Sequence, residues 1–189
     1  MNILAIESSS KQCSIAIHSN NSIHESSDII NNDSATSLPI MIEKMLSTLS
    51  LTFKDLDGIA ISMGPGSFTG LRVGLSYAKG LSLTLDIPII PISTFDLLLL
   101  PNIKDIQDKL ITVLIHSHGT TLYQSRYFLK NNSYVLEEDP ISIILNNISN
   151  ENHGTIMYCG PEHLLDNINP LSSSVHIVSP AAKNMIDIG

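Results

Sequence analysis

Two stretches of this 189-residue chain hold residue types that could do chemistry. The first runs Ser62-Met63-Gly64-Pro65-Gly66-Ser67-Phe68-Thr69-Gly70-Leu71-Arg72-Val73-Gly74 and on through Ala78-Lys79-Gly80. It follows the apolar run Ile59-Ala60-Ile61 and enters a segment of helical period, which predicts a tight strand-to-helix turn. Free amides at such a helix start, assisted by the dipole, can hold a phosphate or another anion. Ser67 or Thr69 can cap the same turn. The second stretch is Glu7-Ser8-Ser9-Ser10, an acid followed by hydroxyls at the end of the apolar run Asn2–Ile6. Both stretches also have plain readings, the first as architecture and the second as a solvated turn. A Walker-type loop is excluded by spacing, because Gly70 is followed by Leu71 and Arg72 where Lys and then Ser or Thr are required.

Other chemistries find less support. His116 and His118, two apart on a strand, could share a metal, but no third ligand accompanies them. The reading preferred for them is surface imidazoles at a hairpin. No serine sits in a Gly-x-Ser-x-Gly elbow, since Ser67 is flanked by Gly66 and Phe68-Thr69, and a peptidase reading fails there. Cys13 and Cys159 are isolated and read as free thiols in a reducing compartment. The net charge of −8, with no basic run, argues against a protein that grips nucleic acid unaided. No run approaches a membrane span or a signal sequence, so the expected location is cytoplasmic and no metal or cofactor is expected.

The elements that must position these residues are legible in order. Hydrophobic residues at 43% and charged residues at 15% predict a well-buried globular chain. Residues 2–6, 13–17 and 22–29 read as a three-stranded meander, interrupted by turns at Ser10-Lys11-Gln12 and Asn20-Asn21. Asn31-Asn32-Asp33-Ser34 is a polar break. From Ser37 a helix is predicted, with Leu38, Ile42, Met45 or Leu46 and Leu49 on one line and Pro39 in its first turn. A strand at Leu56–Met63, the helix at Phe68–Leu81 and a strand at Ile87–Ile92 follow. The second half repeats the order: strands at 110–117, 120–129 and 133–138, a short helix at Pro140–Asn147, a strand at 155–158, a helical turn at 161–165, a strand at 175–178 and a last helix near Pro180. The division falls at residues 1–98 and 99–189.

Both first-half helices carry more apolar surface than one face needs. On the second, Gly70, Gly74, Tyr77, Ala78 and Leu81, flanked by Leu71 and Val73, span roughly 200° at about 100° per residue. Glycine in a helix interior costs about 1 kcal/mol against alanine, and the compensation is close approach of another backbone. That backbone belongs either to the chain's own sheet or to a second subunit.

The duplicated order of three strands, helix, strand, helix, strand is that of the α/β actin-like ATPase (ribonuclease H-like) fold, here with a reduced second lobe. An acid followed by hydroxyls at the first strand's end resembles the first phosphate loop of such ATPases. On that likeness Glu7, Ser8, Ser9, Gly64, Gly66 and Ser67 form a candidate phosphate loop. More specifically, the Gly-Pro-Gly-Ser-Phe-Thr-Gly-Leu-Arg-Val-Gly run, Ala78-Lys79-Gly80, Asp86-Ile87-Pro88, Ile6-Glu7-Ser8-Ser9, Leu38-Pro39 and Phe53-Lys54-Asp55-Leu56-Asp57 resemble the TsaB (YeaZ) family over residues 1–98. The chain departs from that family's usual pattern at His116-Ser117-His118, where Asp-Ala-Arg is usual. It departs also at Glu7, where Asp is frequent, at Asp33, where His is common, and in a shorter tail.

The resemblance implies a non-catalytic subunit of the complex that adds threonylcarbamoyl to the adenosine 3′ of the anticodon in tRNAs reading codons that begin with A. It implies a TsaD-like catalytic partner, a TsaE-like ATPase, tRNA held only through the complex, and a homodimer when the chain is alone. The implied partner surface is Leu38, Ile42, Met45 and Leu49 on the first helix with Phe68, Gly70, Val73, Gly74, Tyr77 and Ala78 on the second. The competing expectation is a small ATPase or kinase of the same fold.

Overall fold

The computed structural model describes residues 1–29, 34–131, 133–148, 153–172 and 174–188. The chain forms two compact units: Met1–Leu97 with Pro180–Gly189, and Leu98–Ser179. In the first, β1 (Ile3–Glu7), β2 (Gln12–Ser19) and β3 (Ser22–Ile29) form the expected meander. Then come α1 (Ser34–Thr48), β4 (Gly58–Ser62), α2 (Phe68–Leu85), β5 (Ile89–Ile92) and a short α3 (Thr94–Leu99). The sheet order is β3-β2-β1-β4-β5, with β4 parallel to β1 and β5 parallel to β4. The polar break at 31–34 falls outside the described residues except for Ser34, which begins α1. That helix starts earlier than its apolar period suggested, so Pro39 lies inside it, not in its first turn.

One face of this sheet carries Leu4, Ile6, Cys13, Ile15, Ile17, Ile59 and Ile61, all fully buried, against Leu38, Ile42, Met45 and Leu46 of α1 and Ala78 of α2. Burial pushes the Cys13 thiol up to about 12, which suppresses its thiolate and makes it an inert core residue. The opposite face, from Ile3, Ala5, Ala16 and Ala60, packs against Ala182 and Met185 of the last helix. The division at residue 99 therefore needs correcting: Pro180–Gly189 belongs with the first unit, because its helix fills the small-residue face of the first sheet.

The second unit repeats the topology. Strands β6 (Leu110–His118), β7 (Thr121–Lys130), β8 (Ser133–Ile144), β9 (Thr155–Cys159) and β10 (Val175–Ile177) lie in the order β10-β9-β6-β7-β8. A four-residue α4 (Leu165–Ile168) follows β9, and α5 (Ala182–Ile188) is the last helix named above. This is the duplicated actin-like arrangement, with the second unit short of helix. The helix expected at Pro140–Asn147 is not formed. Residues 133–144 continue as strand, and only Leu145–Asn147 turns into a single 3-10 turn. Pro140 is tolerated because β8 is an edge strand and the β7–β8 register shifts between Gln124 and Arg126, so its missing N–H breaks no required ladder bond. Among the described residues, no helix is long and apolar enough to cross a membrane.

Candidate functional site

The chain brings its two chemistry-bearing stretches together at the C-terminal ends of β1 and β4. Ser67 caps α2, its Oγ accepting from the Gly70 amide at 3.3 Å. The Ser67 amide in turn donates to the Ser9 carbonyl at 2.6 Å. Glu7 is fully buried, and its Oε1 accepts from the Ser9 amide at 2.6 Å and the Ser9 hydroxyl at 2.5 Å. Gly64 turns the chain with φ 93°, in the left-handed region that favours glycine, and its carbonyl accepts from the Thr94 amide.

The glycines explain how the stretches fit. A Cβ on Gly66 would strike the Ser9 carbonyl, one on Gly70 the Ser8 carbonyl, and one on Gly74 the Ser8 hydroxyl, with Ile61 at 3.2 Å behind it. Gly66 and Gly70 thus admit the backbone of the chain's own Ser8-Ser9 turn, and Gly74 admits the Ser8 side chain. The side of Gly66 and Gly70 on which a Cβ would stand is filled by Ser9 and Ser8. The six phosphate-loop candidates, Glu7, Ser8, Ser9, Gly64, Gly66 and Ser67, thus converge, tied by Ser9 to Glu7 and to Ser67, while Glu7 Oε2 and the Ser8 hydroxyl are buried without a hydrogen-bond partner among the described residues.

Burial raises the Glu7 carboxyl above its ordinary value of 4.5, opposed by the hydrogen bonds from Ser9 and Ser62. The folded state therefore holds this proton more tightly than the unfolded chain. Stability conferred below the ordinary value is lost as pH rises through the folded-state pKa. Glu7→Gln keeps an acceptor for Ser9 and removes the charge. Its melting temperature is expected to fall less than that of the wild type between pH 5 and pH 8, as read by circular dichroism. A steeper fall in the variant would contradict the burial argument.

The residues expected on a partner surface separate into two groups. Leu38, Ile42, Gly70, Gly74 and Ala78 are buried in the chain's own core, and Met45 nearly so. They face the sheet and Ser8, and so cannot line a surface of the folded chain. Leu49, Val73 and Tyr77 are half-buried against the same core. Phe68 alone of the ten stands out, 68% exposed, with the Arg72 guanidinium stacked 3.8 Å from its ring centroid. The exposed apolar residues that accompany it are Ile40 on α1, at 59%, and Leu83 near the end of α2, at 86%. Both escaped the apolar lines used to assign the surface. Their signal was position: Ile40 lies off the line of Leu38 and Ile42, and Leu83 lies on the side of α2 opposite its glycines.

His116 and His118 do not form a ligand pair. His116 Nε2 lies 3.1 Å from the Gly119 carbonyl, His118 Nδ1 lies 3.0 Å from the Ser117 hydroxyl, and a register shift separates the two residues. Among the described residues no three His, Cys, Asp or Glu side chains gather in a metal-holding group.

Comparison with known proteins gives a consistent result. Residues 18–139 match the model of the family described as TsaD, tRNA N6-adenosine threonylcarbamoyltransferase. A Buchnera aphidicola protein (from Acyrthosiphon pisum), named tRNA threonylcarbamoyladenosine biosynthesis protein TsaB, is 35% identical over 149 residues, covering 79% of this chain and 67% of that one. The Escherichia coli protein of the same name is 32% identical over 94 residues, covering 50% of this chain and 41% of that one. The matched stretches thus span between two fifths and two thirds of these relatives' lengths. A solved structure of YeaZ from Pseudomonas aeruginosa superposes with a TM-score of 0.82 over 99% of this chain and 89% of that one, at 18% identity. At that identity the likeness is one of fold.

Proposed function

The chain belongs to the TsaD domain family, in its TsaB branch, and we propose that it acts as a non-catalytic partner subunit in the threonylcarbamoylation of tRNA. In this reading a TsaD-like subunit performs the transfer to the adenosine 3′ of the anticodon in tRNAs reading codons that begin with A. A TsaE-like ATPase joins the pair, tRNA is held by the assembly, and the work takes place in the cytoplasm. The membership rests on the 35% identity to a TsaB protein. The observation that carries the partner role is the exposed apolar side chains on the two helices, Ile40 on α1 and Phe68 and Leu83 on α2, which stand in solvent with no core of their own to cover them. The acidic balance of the chain supports a subunit that leaves tRNA to others.

A small ATPase of the same fold is the weaker reading, because Glu7 is buried and engaged with Ser9. Reconstitution separates the two. The chain, its TsaD-like and TsaE-like neighbours from one organism, tRNA, ATP and the threonylcarbamoyl donor are combined, and the modified nucleoside is measured by mass spectrometry. Modification is expected to require this chain, and the chain alone is expected not to turn over ATP. Equal modification without it, or ATP hydrolysis by it alone that Glu7→Ala abolishes, would overturn the proposal.

A further inference from the structure

We infer that the open face of β7 and β8, in the second unit, is a docking site for a cationic amphipathic helix of another protein. The two units share one strand order, so β7 and β8 correspond to β2 and β3. In the first unit residues 30–57 join β3 to β4 and supply the 15-residue α1. Leu38, Ile42, Met45 and Leu46 of that helix pack with Cys13, Ile15 and Ile17 of β2, which are fully buried. In the second unit only residues 145–154 join β8 to β9, a stretch too short for such a helix. Among the described residues it holds the single turn Leu145–Asn147. Leu145 packs with Leu122 at one end of β7, and the face farther along the strand stays open.

The strand register defines that open face. Phe128 of β7 lies opposite Leu110 of β6 and Val135 of β8, so the three side chains form a row on one side of the sheet. Gln124, four residues before Phe128 and therefore on the same side, lies opposite Ile141. Phe128, Val135 and Ile141 are 46%, 47% and 46% exposed. Beside Phe128 the row opens into a groove of about 520 Å³ that Leu110 and Leu171 also line. Apolar side chains gathered in this way mark an interaction surface. The element that covers the matching strands of the first unit is a helix, and a helix lying in an apolar groove is a common mode of recognition.

Charge selects the occupant. Between Val135 and Ile141 stand the exposed Glu137, Glu138 and Asp139. Arg126 pairs with Glu137 at 3.3 Å and lies opposite Glu138 in the register. One cation therefore serves three acids there, while Lys109 at the groove has Asp108 beside it. Lys130, at the far end of β7, lies opposite Ser133. A helix with Lys or Arg toward Ile141 complements this layout. A two-fold pairing of this row with itself would set the acid runs of two chains, each of net charge −8, side by side.

The test titrates the full chain with a labelled, capped 15-residue Leu/Lys amphipathic helix and with its Leu/Glu counterpart, read by fluorescence anisotropy at about 0.1 M salt. The Leu/Lys helix is expected to bind, and the Leu/Glu helix at least about tenfold more weakly. V135T/I141T, which keeps β-branched side chains and is expected to leave circular dichroism unchanged, is expected to weaken the Leu/Lys helix at least about tenfold. E138Q/D139N is expected to weaken it about threefold or more. Leu136 and Ile144, 45% and 49% exposed, lie on the other side of β8, and L136T/I144T is expected to bind like the wild type. So is Phe68→Asp, in the first unit. Absence of binding by the Leu/Lys helix, equal binding of the Leu/Glu helix, or wild-type affinity in V135T/I141T or E138Q/D139N overturns the inference. An equal loss in L136T/I144T would assign the strand edge instead of this face, and a loss in Phe68→Asp would assign the first unit; either overturns it too.

Discussion

Gly70→Val is expected to unfold the first unit or bring it close to unfolding, with a loss of about 3 kcal/mol or more. Valine's Cβ would clash with the Ser8 carbonyl oxygen. That carbonyl cannot yield easily, because Ser8 follows directly on β1 and the next residue is tied to α2 and to Glu7. Relief requires α2 to move off the sheet, which opens the contact of Ala78 with Ile59 and Ile61. Gly80, on the same helix, is exposed and meets nothing within 4 Å of an added Cβ. There alanine is expected to stabilise the helix, by up to about 1 kcal/mol. Thermal melts of the two variants separate close approach from generic helix propensity; a Gly70→Val chain that melts with the wild type would contradict it. The same geometry makes Gly74→Arg a fold-breaking change, unsuited to probing an interface.

Phe68→Asp is expected to do the opposite, leaving the fold intact and removing pairing. Phe68 is 68% exposed, and a surface change of this kind shifts stability by about 0.5 kcal/mol or less. An aromatic residue at the centre of an interface is worth about 2–3 kcal/mol, or roughly 30- to 150-fold in Kd. Aspartate removes the aromatic contact and the ring on which Arg72 rests. Calorimetry against the TsaD-like subunit, beside a melt of the free chain, checks both halves. Unchanged affinity would place the partner surface elsewhere on the chain.

Much of the first unit was legible because its signals are local. The strands alternate or run apolar between clear turns, and Ser67 follows two glycines where a cap is needed, so the order from β1 to β5 and the α2 start could be read directly. The partner surface was harder, for a physical reason. An over-wide apolar arc says that a helix has two neighbours, but not which side faces which. Leu38, Ile42 and Gly74 belong to the sheet and its Ser8 turn, while Ile40 and Leu83, which break the pattern, face outward.

The second unit was read less well where the chain is least periodic. The sequence reads as strand to Glu138 and as a short helix from Pro140, a residue that suits a first helical turn. Pairing with β7 overrides that local preference and carries the strand to Ile144. The C-terminal helix shows the same limit: Ala182 and Met185 bury against β1, β2 and β4, a contact across most of the chain that no local pattern reports. Parallel pairing of β1 with β4 brings Glu7–Ser9 beside the Gly64–Ser67 turn, and how hard Ser8 and Ser9 press on Gly70 and Gly66 depends on ångströms that residue types do not encode.

The most direct test of the account is the threonylcarbamoyladenosine content of tRNA in bacteria where this chain is the only TsaB-like protein, measured by mass spectrometry for the wild type and an Ile40→Asp, Phe68→Asp double variant. The account predicts normal modification with the wild type and its near loss with the variant, although the variant accumulates to the same level. Full modification with the variant, or none with the wild type, would contradict it.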